Sequence, residues 1–558
     1  MAVLALLGGA CTKSDTGAGD GTGGASTTGG GGGNSGAGGT SAGGSTSAGG
    51  AAAGEGGGGG TTATGGSGSG NDTGTGGRGG DGGNGGGGGT GGTSATGGSS
   101  GAGGSKGGSS GGGGGGSGGA IGSGGSVGAG GSGSSSCTFM KTSSTSSKIP
   151  TVGIVTWSTT LSSPTSAKIA FGLTTSYGLA APVDLTQASY RTLLLGMKPS
   201  MTYHFQITAS NASGQCVSPD YTIMTGALSG NIPSVAASPS NPSGAAGGFL
   251  ITGVYNMAGS ASPAFIVDGD GTVVWAYQIS SDVTGAVMSY DGTRMWINGA
   301  NVPSGTAHVH SVTMDGLTDD DDSSQFKGQN HQLTVLPDET VAFYAYGTNG
   351  CEDIKLRSPS GSVTTVVNAE AAHGGSGGCH VNNIQYSQSD DTLVFSDLDH
   401  NCITKVARTT GSTVWVLGGG IGGVTSTLTG ASWMGGQHGI HVVGLNDFVI
   451  FNNNTTTDAA NGTQLGGSGN GSLAIEVMPN PTAKTATQSW SYKANPGISN
   501  DVMGDVQRLA NGNTIVAFST QKKIQEVSSS GSVVQTLTFG SEIGYIQKRA
   551  TLYGAPPR

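Results

Sequence analysis

The sequence predicts an all-β protein: a six-bladed β-propeller preceded by a small β-sandwich and a long, disordered Gly-rich tether. Three observations carry this. Two kinds of turn alternate through the C-terminal half at intervals of roughly 50 residues, the length of a four-stranded blade. Ahead of them lie short apolar runs bounded by Ser, Thr, Pro and Gly, the pattern of a sandwich. Finally, 115 of the 558 residues are Gly, most of them between Gly17 and Ser136.

Residues 12–136 contain hardly an aliphatic side chain larger than Ala. Such a segment cannot bury enough apolar surface to offset the entropy of ordering its backbone, so disorder is expected. A Gly/Ser chain of this length spans about 60 Å and acts as a tether. Before it, an apolar run from Ala2 to Leu7 leads into Leu7-Gly8-Gly9-Ala10-Cys11. This resembles a bacterial lipobox, although the leucine stands one place further from the cysteine than usual and no basic stretch precedes the run. The resemblance implies a signal segment at residues 1–11, a lipid on Cys11, and export to the bacterial cell envelope. No later stretch approaches 18 consecutive apolar residues, so the expected membrane contact is the lipid anchor alone. The net charge is −10 with 10% charged residues and no basic cluster, which argues against nucleic-acid partners.

Residues 137–229 hold the sandwich strands, at Thr151–Trp157, Ala167–Phe171, Tyr190–Leu195 and Tyr203–Thr208. Trp157 and the run Met197–Phe205 resemble the buried tryptophan and tyrosine corner of a fibronectin type III domain. Cys137 and Cys216, near the first strand and the last hairpin, are expected to pair, since export implies an oxidising compartment. His204 reads as a solvent-facing strand residue. Nothing here suggests chemistry, and the expected role is a spacer or docking module.

Residues 247–558 hold the propeller. One turn type is rich in Asp and Asn: Tyr290-Asp291-Gly292, Pro337-Asp338-Glu339, Asp390-Asp391, Asn446-Asp447 and Asn511-Gly512. The other is a Gly turn into a β-branched run: Asp268–Trp275, Asp315-Gly316, Ser360-Gly361, Thr410–Trp415 and Ser530–Val534. Six units fit, and radial repetition hides their sheet edges. Just ahead of three consecutive Asp/Asn turns stand Asn330-His331-Gln332, Cys379-His380-Val381-Asn382 and Gln437-His438-Gly439. If the units are blades, the three histidines begin equivalent innermost strands and converge on one mouth of the channel. Other His and Asp residues read as surface features. His308 and His310 share a strand face, Asp319–Asp322 form a solvated loop, and His441 lies on the opposite face from His438.

The ordered set His380–Ile384, Val414–Gly419, Gln437-His438, Val506–Asn513 and Tyr545–Arg549 resembles the bacterial arylsulfotransferases. The resemblance covers the propeller alone. It implies sulfuryl transfer from an aryl sulfate donor to a phenolic acceptor through a sulfated histidine. It also implies ping-pong kinetics and no cofactor, neither metal nor the nucleotide donor PAPS. His438 would be the nucleophile, with His331, His380 and Asn382 holding the sulfuryl oxygens. The sequence departs from the family where an Arg is expected: Phe395–Cys402 contains Asp397 and Asp399 and no Arg, and Arg408 lies a strand away. Two other functions therefore stand beside the first. One is a cation site of the three histidines with Asp397 or Asp399. The other is a non-catalytic cell-surface propeller that binds glycans or proteins. Cys351 is expected to pair with Cys379, bracing the approach to His380 and leaving Cys402 free.

Overall fold

The computed structural model describes residues 137–255, 260–301, 306–347, 350–430, 434–457, 465 and 467–556. The signal segment, Cys11 and the Gly-rich stretch lie outside the described residues. Six antiparallel sheets succeed one another in the C-terminal part. Blade 2 comprises Gly285–Met288, Arg294–Asn301, Thr306–Thr313 and Asp319–Asp321. Blade 3 comprises Thr334–Val335, Val341–Tyr346, Glu352–Arg357 and Val363–Asn368. Blade 4 comprises Val381–Ser387, Thr392–Asp397, Cys402–Ala407 and Thr413–Gly418. Blade 5 comprises Gln437–Gly444, Asp447–Asn452, Leu473–Asn480 and Thr485–Lys493. In blades 2 to 5 each strand pairs with the next in sequence, and the first strands of neighbouring blades touch around the channel.

Both ends of the propeller cross the seam between blades 6 and 1. Blade 1 takes three strands from its own start, Phe249–Gly253, Ser262–Val267 and Val273–Ile279, and its innermost strand, Gln547–Arg549, from the end of the chain. Blade 6 is Asp505–Arg508, Thr514–Phe518, Lys523–Val527 and Val533–Phe539, with Val235–Ser238 added on its outer edge. Pairing of this kind closes the ring through backbone hydrogen bonds and leaves only short, protected edges along the channel. Between blades the packing is aromatic: Phe265 against Phe539, Trp415 edge-on to Phe448, and Phe451 edge-on to Phe518. A blade buries both faces, which is why strands such as Ser262–Val267 are buried at every position instead of alternating.

Ahead of the propeller is a β-sandwich. One sheet is Phe139–Thr145, Gly153–Thr159 and Thr192–Leu194, and the other is built on Ser166–Gly172 and Thr202–Asn211. Val155, Trp157, Ile169, Phe171, Phe205 and Ile207 fill the space between them. The Tyr203 hydroxyl accepts the Lys198 N–H at 2.8 Å, pinning the corner ahead of its strand. Cys137 is bonded to Cys216. His204 is paired with Asp220 at 2.6 Å.

The sandwich is no loose spacer. Its Ile149, Val152 and Leu195 share one core with Trp275, Met314 and Leu552 of the propeller. Gly316, at φ +69°, closes the blade 2 turn directly beneath Ile149, where a Cβ would come within 2.9 Å of that side chain. Arg191 pairs with Asp315, and Lys198 with Asp268 and Asp270. The Tyr553 hydroxyl takes the Leu195 N–H at 2.8 Å and reaches Leu193 O at 3.1 Å.

One expectation is corrected. Asp319–Asp321 are not loop but the outermost strand of blade 2, paired with His310–Val312. Consecutive charges suit a fully exposed edge strand, because they repel further strand addition there. The sequence pattern for such a strand is indistinguishable from that of a solvated loop.

The shared core predicts a single cooperative transition for sandwich and propeller. Leu552→Ala should lower stability by about 2–5 kcal/mol, read by denaturant melts. A loss under about 1 kcal/mol would show that the two parts do not depend on each other.

Candidate functional site

The three histidines of the sequence pattern are brought together. His331 stands just before the inner strand of blade 3, His380 just before that of blade 4, and His438 within that of blade 5. The His331 ring centroid lies 5.2 Å from that of His380 and 6.2 Å from that of His438. All three are buried.

Each ring is held by its own surroundings. His438 is bounded by Gly439, where a Cβ would fall 2.3 Å from Asp505 Oδ1; only Gly lets blades 5 and 6 approach this closely. The Asn453 amide donates through Nδ2 to Asn500 O at 2.6 Å and Met503 O at 2.9 Å. Its Oδ1 therefore faces His438 Nδ1 at 2.8 Å and accepts the Nδ1 proton. This fixes the tautomer, leaving the lone pair on Nε2. Burial, then the neighbouring His380, push the His438 pKa down to about 4. His331 adopts a left-handed backbone, φ +50°, a strained conformation for a residue with a side chain. The strain is held by Thr284 Oγ1, which donates to His331 O at 2.6 Å, and by Asn298 Nδ2, which donates to the same oxygen. Its Nδ1 lies 2.9 Å from Asn330 Oδ1. Burial, then His380 and His438, hold its pKa well below the usual value. Both rings are therefore neutral near pH 7.

Asn382 is fully buried, and its Nδ2 donates to Gln437 O at 2.8 Å, so it braces the backbone beside His438. Across the channel, the Tyr545 hydroxyl donates to Asn382 O, so that residue of the closing segment joins the site. Arg549 does not. It is buried beside the C-terminus and donates to Thr551 O and Gly554 O. Arg408 pairs with Asp391 at 2.6 Å, away from the histidines. Cys351 is bonded to Cys379, immediately before His380, and Cys402 is free and buried.

The alternative cation site of the three channel histidines does not form around Asp397. Asp397 Oδ2 takes His373 Nε2 at 3.0 Å and His400 Nδ1 at 2.8 Å, and Oδ1 accepts the backbone N–H of His380 at 3.1 Å. Its oxygens are engaged by a different pair of imidazoles and by the His380 backbone, so it does not complete a cation site with His331, His380 and His438. Among the described residues, the groups of ligand-type side chains that come together are His373, Cys379, Asp397 and His400, and Cys351, Glu352 and Cys379; neither includes a channel histidine, and the cysteines are tied up in a disulfide.

Sequence reasoning missed Asn453, whose signal was the run Asn452-Asn453-Asn454 at a strand end. It also missed two buried carboxyls near the site. Burial pushes Glu352 up to about 8, and Asp505, which accepts the Ile546 and Val506 N–H groups at 2.9 Å each, up to about 7.

Residues 362–544 match the Arylsulfotransferase (ASST) family model. The match takes in His380, Asn382 and His438 and stops short of His331, which precedes it. No curated protein matches the chain. Similar solved structures include TolB from Acinetobacter baumannii, at 12% identity and TM-score 0.34 over 63% of this chain and 80% of that one. Another is a putative 6-phosphogluconolactonase from Bacteroides uniformis, at 13% and 0.36 over 68% and 98%. A third is virginiamycin B lyase from Staphylococcus aureus, at 13% and 0.32 over 54% and 88%. Likeness of this degree carries no argument, and the architecture rests on the sheets described above.

The environment of His438 makes a direct prediction. In ¹⁵N-labelled protein its ring should remain the neutral Nδ1–H tautomer from about pH 8 down to about pH 5.5, since its pKa lies near 4. A protonation midpoint near 6.5, that of an ordinary histidine, would contradict the geometry.

Proposed function

We propose that the chain is an arylsulfotransferase that carries a sulfuryl group on His438 Nε2 from an aryl sulfate to a phenol, with neither nucleotide nor metal. The observation that supports this most is the His438–Asn453 hydrogen bond, together with the ASST match around it. A nucleophilic imidazole needs a free lone pair in a known direction, and Asn453 supplies that by holding the proton on Nδ1. Nε2 attacks sulfur, the N–S bond forms, and the bond from sulfur to the aryl oxygen breaks with departure of the phenolate. The acceptor phenol then gives up its proton, and its oxygen attacks sulfur from the vacated side; the new O–S bond forms as the N–S bond breaks, which frees His438 Nε2.

The flanking rings divide the remaining work. His331, with Nδ1 turned to Asn330 Oδ1, presents Nε2 as the base for the acceptor's proton. His380 holds sulfuryl oxygens, where charge must be met by fixed donors. Asn382 keeps the His438 backbone in place. In this reading the protein sits at the cell envelope on a lipid at Cys11, and residues 137–229 form a fibronectin type III-like platform fused to the propeller. One observation favours a second reading, a non-catalytic binding propeller. Asp397 and its partners occupy the region where the family has a guanidinium, and no Arg or Lys is among the site side chains named above.

Release of phenol from a chromogenic aryl sulfate in the presence of an acceptor phenol decides between them. His438→Ala should abolish transfer, and His331→Ala and His380→Ala should each reduce it by about 10²-fold. Folded wild-type protein inert toward a panel of aryl sulfates would favour the binding propeller. The pH dependence is a separate prediction. Because the nucleophile's pKa is depressed, it stays neutral above about pH 5, so the sulfation step should be level from there to pH 8. A rate that halves near pH 6.5 would show a nucleophile with an ordinary pKa.

A further inference from the structure

The His373, Asp397 and His400 cluster lies outside the mechanism above, and its members come from two separate segments. His373 ends the short helix Ala369–His373 between blades 3 and 4. Asp397 ends the second strand of blade 4, and His400 lies in the turn that follows. All three side chains are almost completely shielded from solvent, at 0%, 0% and 2% exposure. Two imidazole nitrogens approach one carboxylate oxygen, at 3.0 and 2.8 Å. The His373, Asp397 and His400 ligand atoms all fall within 4.8 Å of one another, with the disulfide sulfur of Cys379 3.9 Å from His373 Nε2.

We propose that His373, Asp397 and His400 form a structural site for a borderline divalent cation, Zn²⁺ by chemistry, which clamps the helix over the start of blade 4. Ligand atoms about 2 Å from a tetrahedral Zn²⁺ stand roughly 3.3 Å from each other, so the two edges to Asp397 Oδ2, at 3.0 and 2.8 Å, need to open by about 0.3–0.5 Å, and the third edge lies within 4.8 Å. Two imidazoles and one carboxylate suit such an ion.

The surrounding contacts fit ligation by the stated atoms. His400 Nε2 lies 3.2 Å from Ser376 O, so its proton is held there and Nδ1 is left to bind. Asp397 Oδ1 is occupied by the His380 and His400 backbone N–H groups, at 3.1 and 3.4 Å, which leaves Oδ2 for the ion. One contact must yield. Gly375 N donates to His373 Nδ1 at 3.1 Å, and ligation through Nε2 moves a proton onto that nitrogen. One hydrogen bond of this kind is small beside three metal–ligand bonds. Cys379 is bonded to Cys351 and is not a ligand, so the site has three protein ligands and a fourth position for water.

Because the site is buried, the ion enters as the chain folds. The test is to unfold the full chain in denaturant with its disulfides intact, strip metal with a chelator, and refold it with Zn²⁺ or Co²⁺. Expected are one tightly held metal per chain, a higher melting temperature than the metal-free protein, and a Co²⁺ absorption spectrum of low coordination number. X-ray absorption should show two imidazole ligands in the wild-type protein, whatever the variants do. Asp397→Asn and His400→Ala should lose the metal, while His331→Ala keeps it. A wild-type chain that refolds without stoichiometric metal would overturn the proposal. So would metal that survives both first-site substitutions and disappears in His331→Ala. Metal retained or lost at His373, Asp397 and His400 leaves sulfuryl transfer untouched, whereas metal that depends on His331 would count against the metal-free transfer as well, so failures of the two readings are distinguishable.

Discussion

The pairing of Gln547–Arg549 with Phe249–Ile251 is the interaction on which the rest of this structure depends. A propeller is a ring of sheets, and a ring needs one backbone ladder that joins its ends. Here the closing segment does more than join them. Just before the ladder, Tyr545 donates its N–H to Thr284 O in blade 2 and its hydroxyl to Asn382 O in blade 4, so one side chain spans the channel beside the histidines. Just after it, Leu552 and Tyr553 enter the sandwich interface. Channel, ring and sandwich are thus tied within one short stretch of chain. The spacing of blades 3, 4 and 5, and with it the approach of three imidazoles, follows from that closure.

Electrostatics then decides what the imidazoles can do. His331 and His438 are both buried, and the neighbouring His380 disfavours a proton on either. Burial of a histidine is unfavourable if it must be charged, so these two stay neutral. The same exclusion of water that lowers the pKa values strengthens the hydrogen bonds that orient the rings. His331 shows that this order is imposed, since its backbone sits in a strained region only because Thr284 and Asn298 grip its carbonyl. In the proposed transfer, no guanidinium among the described site residues meets the charge of a sulfuryl group, a weaker arrangement than a charged fork.

Much of this was legible in the sequence, for reasons that can be stated. Blade periodicity comes from turn chemistry, which is local, so the two alternating turn types reveal it. The register of His331, His380 and His438 follows, because each stands at or just before the first strand of its blade. What the sequence does not carry is which side chain meets which across blades. Asp397 was visible as a carboxylate in place of an Arg, yet its capture by His400, three residues on, and by His373 from a separate helix depends on how the helix folds over the blade. Asn453 was one of three consecutive asparagines, and only the positions of Asn500 and Met503 select it as the partner of His438. Val235–Ser238 lacks strong apolar alternation, and the last strand of blade 6 gives it a partner.

The claim at the centre of this account is that His438 carries the sulfuryl group. The measurement that reaches it most directly is mass spectrometry of protein mixed with an aryl sulfate in the absence of acceptor, quenched rapidly at alkaline pH and digested. The account predicts the mass of one added SO₃ on the peptide containing His438, lost when a phenol is added before the quench. Turnover without any sulfated peptide, or a modification that remains in His438→Ala, would contradict it.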